Sequence, residues 1–234
     1  MSKISDFIEH GGGFKNFIFA TLRGAGEDPF RHAAEAVAEK VKPYLPEVMT
    51  GKVGGVMSGL AASYAQFATP DRTPMSDMAF DFFEYMRRGL YNGSVPRFEG
   101  WSTEFEKRSR QYIEQVAAEG GNFDEAIAKI EATRNAHQQL DAILGEMKPP
   151  PAGQVKINWD PLVETLRSLL MREGDNPGTS TIDLLKARTG ELDDSGARAI
   201  EELTKPIKAY REKLSDRRAK REKRKGWLKR IFTG

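Results

Sequence analysis

Cysteine is absent from the 234 residues. That excludes disulfides and thiolate metal ligands, and it fits a reducing compartment. Histidine is nearly as scarce, with only His10, His32 and His137. None has a second histidine or a cysteine three or four positions away, so a metal site would need ligands gathered from distant segments. Long apolar runs are also missing. The longest uncharged stretch, residues 53–70, contains Gly, Ser, Gln and Thr and is too weakly apolar for a transmembrane helix. Asp6 and Glu9 interrupt any apolar core in residues 1–13, so no signal peptide is expected. The expected location is cytoplasmic, or inside a particle assembled in the cytoplasm.

Charge of one sign is concentrated at one end. Residues 205–234 contain thirteen Lys or Arg against Glu212, Asp216 and Glu222, a balance of +10. The whole chain carries +2, so residues 1–204 carry −8. A basic tail on an acidic body says more about partners than the overall charge does.

What is present reads as helices. Ile4, Phe7 and Ile8 precede a glycine hinge at Gly11, Gly12 and Gly13. Phe14, Phe17, Ile18 and Leu22 then share one helical face. Asp28-Pro29 is a helix start, an N-cap side chain followed by proline. Phe30, Ala33, Ala34, Val37, Val41 and Leu45 mark its buried side, and Pro43 and Pro46 limit its length. Thr73-Pro74 opens a helix rich in Met and Phe (Met75, Met78, Phe80, Phe82, Phe83, Met86), read as a central core element. Ser102 or Thr103 is expected to cap the next helix, which carries Phe105, Tyr112, Ile113 and Val116.

Asn122 with Glu125 three residues on is a capping-box variant. It begins a helix whose expected buried stripe is Phe123, Ile127, Ile130, His137, Leu140 and Leu144. Gly120-Gly121 makes the turn before it short enough for a helical hairpin. The proline-rich residues 148–158 read as a linker. Asp160-Pro161 repeats the cap signature, and a short helix is expected around Ile182 and Leu185. The last helix begins near Asp194. Ile200, Leu203, Ile207, Tyr210 and Leu214 follow a 3-4 spacing, with Pro206 expected to kink it or mark its real start.

No segment reads convincingly as a strand. The expected fold is all-α, an irregular multi-helix bundle with a helical hairpin and a long basic C-terminal helix. Its expected divisions are an N-terminal helical domain (1–147), the linker (148–158), a C-terminal helical region (159–214) and the tail (215–234).

Motifs that suggest catalysis do not survive inspection. His10-Gly11-Gly12-Gly13 has the composition of an oxyanion loop but lacks a preceding strand and a nucleophile elbow. Thr50-Gly51-Lys52-Val53 lacks the hydroxyl that a phosphate loop needs after its lysine. His137, on an apolar stripe, reads as a hydrogen-bonded core histidine. No enzyme activity and no cofactor or metal is expected.

Two features remain. The first is the tail, where Arg217, Arg218, Lys220, Arg221, Lys223, Arg224 and Lys225 crowd together, followed by Lys229 and Arg230. Trp227, Leu228, Ile231 and Phe232 form an apolar turn beside them, with Leu228, Ile231 and Phe232 on one face if helical. Such a segment suits an anionic bilayer, and equally the phosphates of a nucleic acid or a groove on a partner protein subunit. The second is the repeat of Gly51, Gly55, Gly59 and Ser63 at every fourth position, a nearly bare helical stripe. It is expected to admit a closely packed helix, within this chain or from a homo-oligomer. Together these features point to a structural or assembly protein, as in a virion or a membrane-associated complex.

Overall fold

The computed structural model describes residues 12–26, 28–68, 73–175, 180–188 and 194–232. Side chains are described for these residues except 12–16, 173–175, 180, 186–188, 206–207 and 224–232. The early cluster Ile4, Phe7 and Ile8, with His10 and Gly11, lies outside the described residues. The helices run α1 (Gly12–Gly24), α2 (Pro29–Val41), α3 (Glu47–Ala65), α4 (Pro74–Tyr91), α5 (Ser102–Ala118), α6 (Phe123–Leu144), α7 (Asp160–Asp175), α8 (Ser180–Arg188) and α9 (Asp194–Phe232). Short 3-10 turns occupy Lys42–Tyr44 and Phe98–Trp101. The fold is all-α, with no strand among the described residues. Gly12 and Gly13, expected in a hinge, instead lie in the first turn of α1.

Several helix starts follow directly from side-chain chemistry. Asp28 accepts the Arg31 N–H at 3.0 Å. The Thr73 hydroxyl accepts the Ser76 N–H at 3.1 Å, and Ser76 returns the bond to the Thr73 N–H, closing a capping box. Asn122 accepts the N–H groups of Asp124 and Glu125. Each such cap supplies about 1 kcal/mol by satisfying an otherwise orphaned N–H. Two starts differ from expectation. α5 is entered through the Phe98–Trp101 turn, so neither Ser102 nor Thr103 caps it, and the Ser102 hydroxyl donates back to the Glu99 carbonyl. Before α7, the Asp160 N–H donates to the Asn158 side chain at 2.9 Å, and the helix begins at Asp160 itself rather than after it.

The chain divides into two compact units. One is Ile18–Leu162, and the other takes its described residues from before Ile18 and from Val163 onward. In the first unit α3 is central and packs against α2, α4 and α6. Val53, Met57, Leu60, Ala61 and Tyr64 form its buried side. The predicted face of α2 is buried in full, from Phe30 to Leu45. The Met- and Phe-rich α4 is a core helix, with Met75, Met78, Phe80, Phe82, Phe83 and Met86 all buried. Phe80 stacks between Phe19 (3.8 Å between centroids) and Phe30 (4.6 Å).

Residues 148–158 do not behave as a linker. They form a strap on the first unit, because their backbone finds partners there and their alternate side chains are apolar. The Lys148 N–H donates to the Tyr44 carbonyl at 2.9 Å, and the Gly153 N–H to the Tyr91 carbonyl at 2.7 Å. Val155, Ile157 and Trp159 are buried while Lys156 and Asn158 between them are exposed. Trp159 meets Phe19 edge-on at 6.0 Å. Three prolines stiffen the segment without freeing it from the body.

The glycine stripe of α3 also differs from its expected role inside the chain. Gly51, Gly55 and Gly59 are exposed, and a Cβ at any of them would meet nothing within 4 Å. Ser63 is buried and its hydroxyl donates to the Leu60 carbonyl at 2.8 Å. Helix geometry explains the split. A four-residue step on a 3.6-residue helix advances about 40° beyond a full turn, so the stripe winds from the solvent side to the buried side. Among the described residues of its own unit, no helix packs into it. Replacing Gly51, Gly55 and Gly59 together by alanine is expected to stabilise the protein by about 2–3 kcal/mol, at roughly 1 kcal/mol each. A thermal melt checks this, and a loss of stability would reveal a packing partner on that face.

Candidate anion-binding tail

The second unit has its own buried apolar residues, including Leu166, Leu170, Leu185, Ile200 and Leu203. Ile200 and Leu203 seat the start of α9. Burial then fades along the same 3-4 register. Tyr210 and Leu214 are half-buried, and Arg217 and Arg221 at the next two positions are exposed. α9 is one continuous helix through Pro206. From residue 208 to 232 it runs for about 37 Å at 1.5 Å per residue.

A single helix fixes which charges share a side. With about 100° per residue, Glu212, Asp216 and Glu222 all fall on the side away from Tyr210 and Leu214. Arg211, Lys213, Arg217, Arg218, Lys220 and Arg221 occupy the remaining half of the circumference, with no acid among them. The charged stretch therefore has two different sides, and an acid-free one continues the apolar seam. Of the expected tail cations with described side chains, Lys223 is the exception, because it lies on the side that holds the acids. Leu214, Arg217, Arg218, Lys220 and Arg221 line a surface concavity along this side. Arg224, Lys225, Lys229 and Arg230, and the anchor side chains of Trp227, Leu228, Ile231 and Phe232, lie outside the described side chains, although the backbone there is helical.

Many cations of the body, though not all, sit against acids. Arg87 and Arg88 both bind Glu84, at 2.7 and 2.8 Å. Arg108 binds Glu104 at 2.6 Å, Lys129 binds Glu125 at 2.6 Å, and Arg134 reaches from α6 to Glu106 of α5 at 2.7 Å. Arg217, Arg218, Lys220, Arg221 and Lys223 are exposed, and none has an acidic partner within ion-pair distance among the described residues. Their charge is not neutralised locally. Like charges four apart, as at Arg217 and Arg221, also cost the helix a few tenths of a kcal/mol per pair, which an anion laid along the side would relieve.

The one histidine on an apolar stripe is sealed inside the first unit. His137 is 0% exposed, and its Nε2 is 2.7 Å from the Tyr64 hydroxyl. Phe98 stacks on the ring at 4.4 Å, and Phe82 and Phe105 meet it edge-on at 4.4 and 5.6 Å. Its Nδ1 has no hydrogen-bond partner among the described residues. Burial lowers its pKa to about 3. Burial also pushes the Tyr64 hydroxyl well above its ordinary value, opposed by the Trp101 indole and reinforced by the Asp81 charge. The pair acts as a polar clasp within an aromatic core, and His137 is the hydrogen-bonded core histidine expected from its apolar stripe, with a partner in Tyr64 that the spacing did not indicate. His32 is partly exposed beside Glu35. Among the described residues no group of three or more His, Asp or Glu is placed to hold a metal ion, and no helix is long and apolar enough to cross a membrane.

No protein-family model matches the chain, and no curated protein or solved structure matches it.

Proposed function

We propose that this chain is a non-enzymatic structural or assembly protein whose cationic tail helix tethers the helical body to an anionic partner. The observation that carries this reading is the crowding of cations on one acid-free side of the exposed tail helix. Many cations of the body sit against acids, although Lys40, Lys52, Arg110, Lys148 and Lys156 do not, whereas Arg217, Arg218, Lys220 and Arg221 crowd one acid-free side of an exposed helix without an ion pair among the described residues. Guanidinium and ammonium groups at that spacing grip phosphate or carboxylate arrays. The apolar turn that follows in sequence, from Trp227 to Phe232, supplies an anchor for a bilayer interface or a protein groove.

Co-sedimentation of the full chain and of a truncation after Asp216, with anionic vesicles and in parallel with DNA and RNA across a salt series, tests the reading. The full chain is expected to bind and the truncation to fail. A salt-resistant remainder that is lost in Trp227→Ala/Phe232→Ala would identify a bilayer. A steep and complete loss of binding with salt would identify nucleic acid. Equal behaviour of the two proteins would sink the tether.

A further inference from the structure

The free end of the α5–α6 hairpin shows an apolar surface that its described neighbours cover only in part. The chain turns there through Gly120, at φ +68°, and Gly121, whose N–H groups donate to the Ala117 and Val116 carbonyls. Along α5 burial fades from Phe105 and Ser109 to the half-buried Tyr112, Ile113 and Val116. On α6, Phe123 and Ile127 were expected on the buried stripe. They are instead 48% and 43% exposed. The seam that does pack runs through Ala126, Ile130, Thr133, His137, Leu140 and Leu144, which leaves Phe123 and Ile127 on its flank, one turn apart.

Charge selects what fits over this pair. Residues 111–128 contain Glu114, Glu119, Asp124 and Glu125, all exposed, and no Lys or Arg. Glu125 is paired with Lys129, whereas Glu114, Glu119 and Asp124 have no cationic partner among the described residues. A second hairpin tip laid on the first would meet like charge. The surface needs a cationic segment that brings its own apolar residues, and the sequence contains one at residues 217–232. Phe123 and Ile127, 48% and 43% exposed, offer such a segment an apolar seat.

We propose that the tip of the α5–α6 hairpin docks the basic C-terminal segment of a second copy of this chain. Phe123 and Ile127 receive the apolar end of that segment, and Glu114, Glu119 and Asp124 face its Arg and Lys residues. The proposal rests on the reading of the tail as a grip on an anionic partner, and it names the chain itself as that partner. Donor and acceptor are different surfaces, so the contact is head-to-tail and extends into a ring or an open chain of copies.

Sedimentation velocity of the full chain over a wide concentration range tests this at low and high salt. The expected result is association that grows with concentration and reverses with salt. Phe123→Ser/Ile127→Ser, Glu114→Lys/Glu119→Lys/Asp124→Lys and truncation after Asp216 are each expected to weaken it by roughly tenfold or more. Circular dichroism checks that each variant remains helical. Mixing the tip-reversed variant with Arg217→Glu/Arg218→Glu/Arg221→Glu is expected to restore association between the two, which a folding defect cannot do. A monomer under all conditions, or association indifferent to the tip substitutions, overturns the proposal. If the full chain stays monomeric while truncation still abolishes vesicle or nucleic-acid binding, the docking fails and the tail reading stands. If truncation changes neither, both fail.

Discussion

Lowering the pH from 7 to 5 is expected to cost the Ile18–Leu162 unit about 2 kcal/mol of stability through His137 alone. The sign follows from where the proton binds. In the folded chain burial holds the imidazole pKa at about 3, whereas in the unfolded chain it returns to roughly 6.5. The unfolded state therefore takes up a proton first as pH falls. Stability is fully present above about 6.5 and falls by about 1.4 kcal/mol per unit down to about 3, where the full contribution of about 5 kcal/mol has gone. Urea melts followed through the fluorescence of Trp101 and Trp159 measure this. In His137→Phe the slope between pH 6.5 and 5 is expected to flatten, because the aromatic box accepts a phenyl ring and no titrating group remains in it. That variant strands the Tyr64 hydroxyl, at about 1–3 kcal/mol, and Tyr64→Phe/His137→Phe is expected to recover most of the loss. An unchanged slope in His137→Phe would show that other groups govern the acid response.

Removing Arg217, Arg218, Lys220 and Arg221 together, as alanines, is expected to weaken binding to anionic vesicles by about three orders of magnitude. Each cation near such a surface contributes about 1 kcal/mol, and tenfold in affinity is about 1.4 kcal/mol. If the ligand is duplex DNA, the same four changes are expected to reduce the slope of log K against log salt by about 3.6. Lys223→Ala is the discriminating control. It removes one cation just as a single Arg221→Ala does, but from the side that holds Glu212, Asp216 and Glu222. If the acid-free side is the binding face, Lys223→Ala changes affinity much less than Arg221→Ala. Equal losses from the two would mean that only the total charge of the tail matters, and the face would lose its meaning.

How much was legible beforehand depended on the kind of signal. Helix starts carried by one side chain, at Asp28, Thr73 and Asn122, could be read because the oxygen and the N–H it satisfies are three positions apart or fewer. Apolar spacing located the buried sides of α2 and α4 for the same local reason. Failures came where the outcome depended on what lies opposite. Phe123 and Ile127 have the spacing of core residues, but they sit near a helix end where the described neighbours cover them only in part. The prolines of residues 148–158 mark a backbone that cannot be helical, and they carry no information on whether it is free or strapped down. The tail was recognised as basic, but its two-sidedness depended on one uninterrupted helix through Pro206, where the sequence left a kink or a new start open.

The open glycine face of α3 also bears on how the first unit comes apart. Gly51, Gly54, Gly55 and Gly59 give the helix a poor intrinsic propensity, a deficit of about 4 kcal/mol relative to alanine at those four positions. A segment so weak has no independent existence in water, and it holds its shape through Val53, Met57, Leu60 and Tyr64 against α2, α4 and α6. Because the central element depends on all three neighbours, separation of any one of them removes the support of the others. Amide hydrogens along α3 should then exchange only when the whole unit opens, with a single protection energy shared by Leu60, Tyr64 and the helices around them.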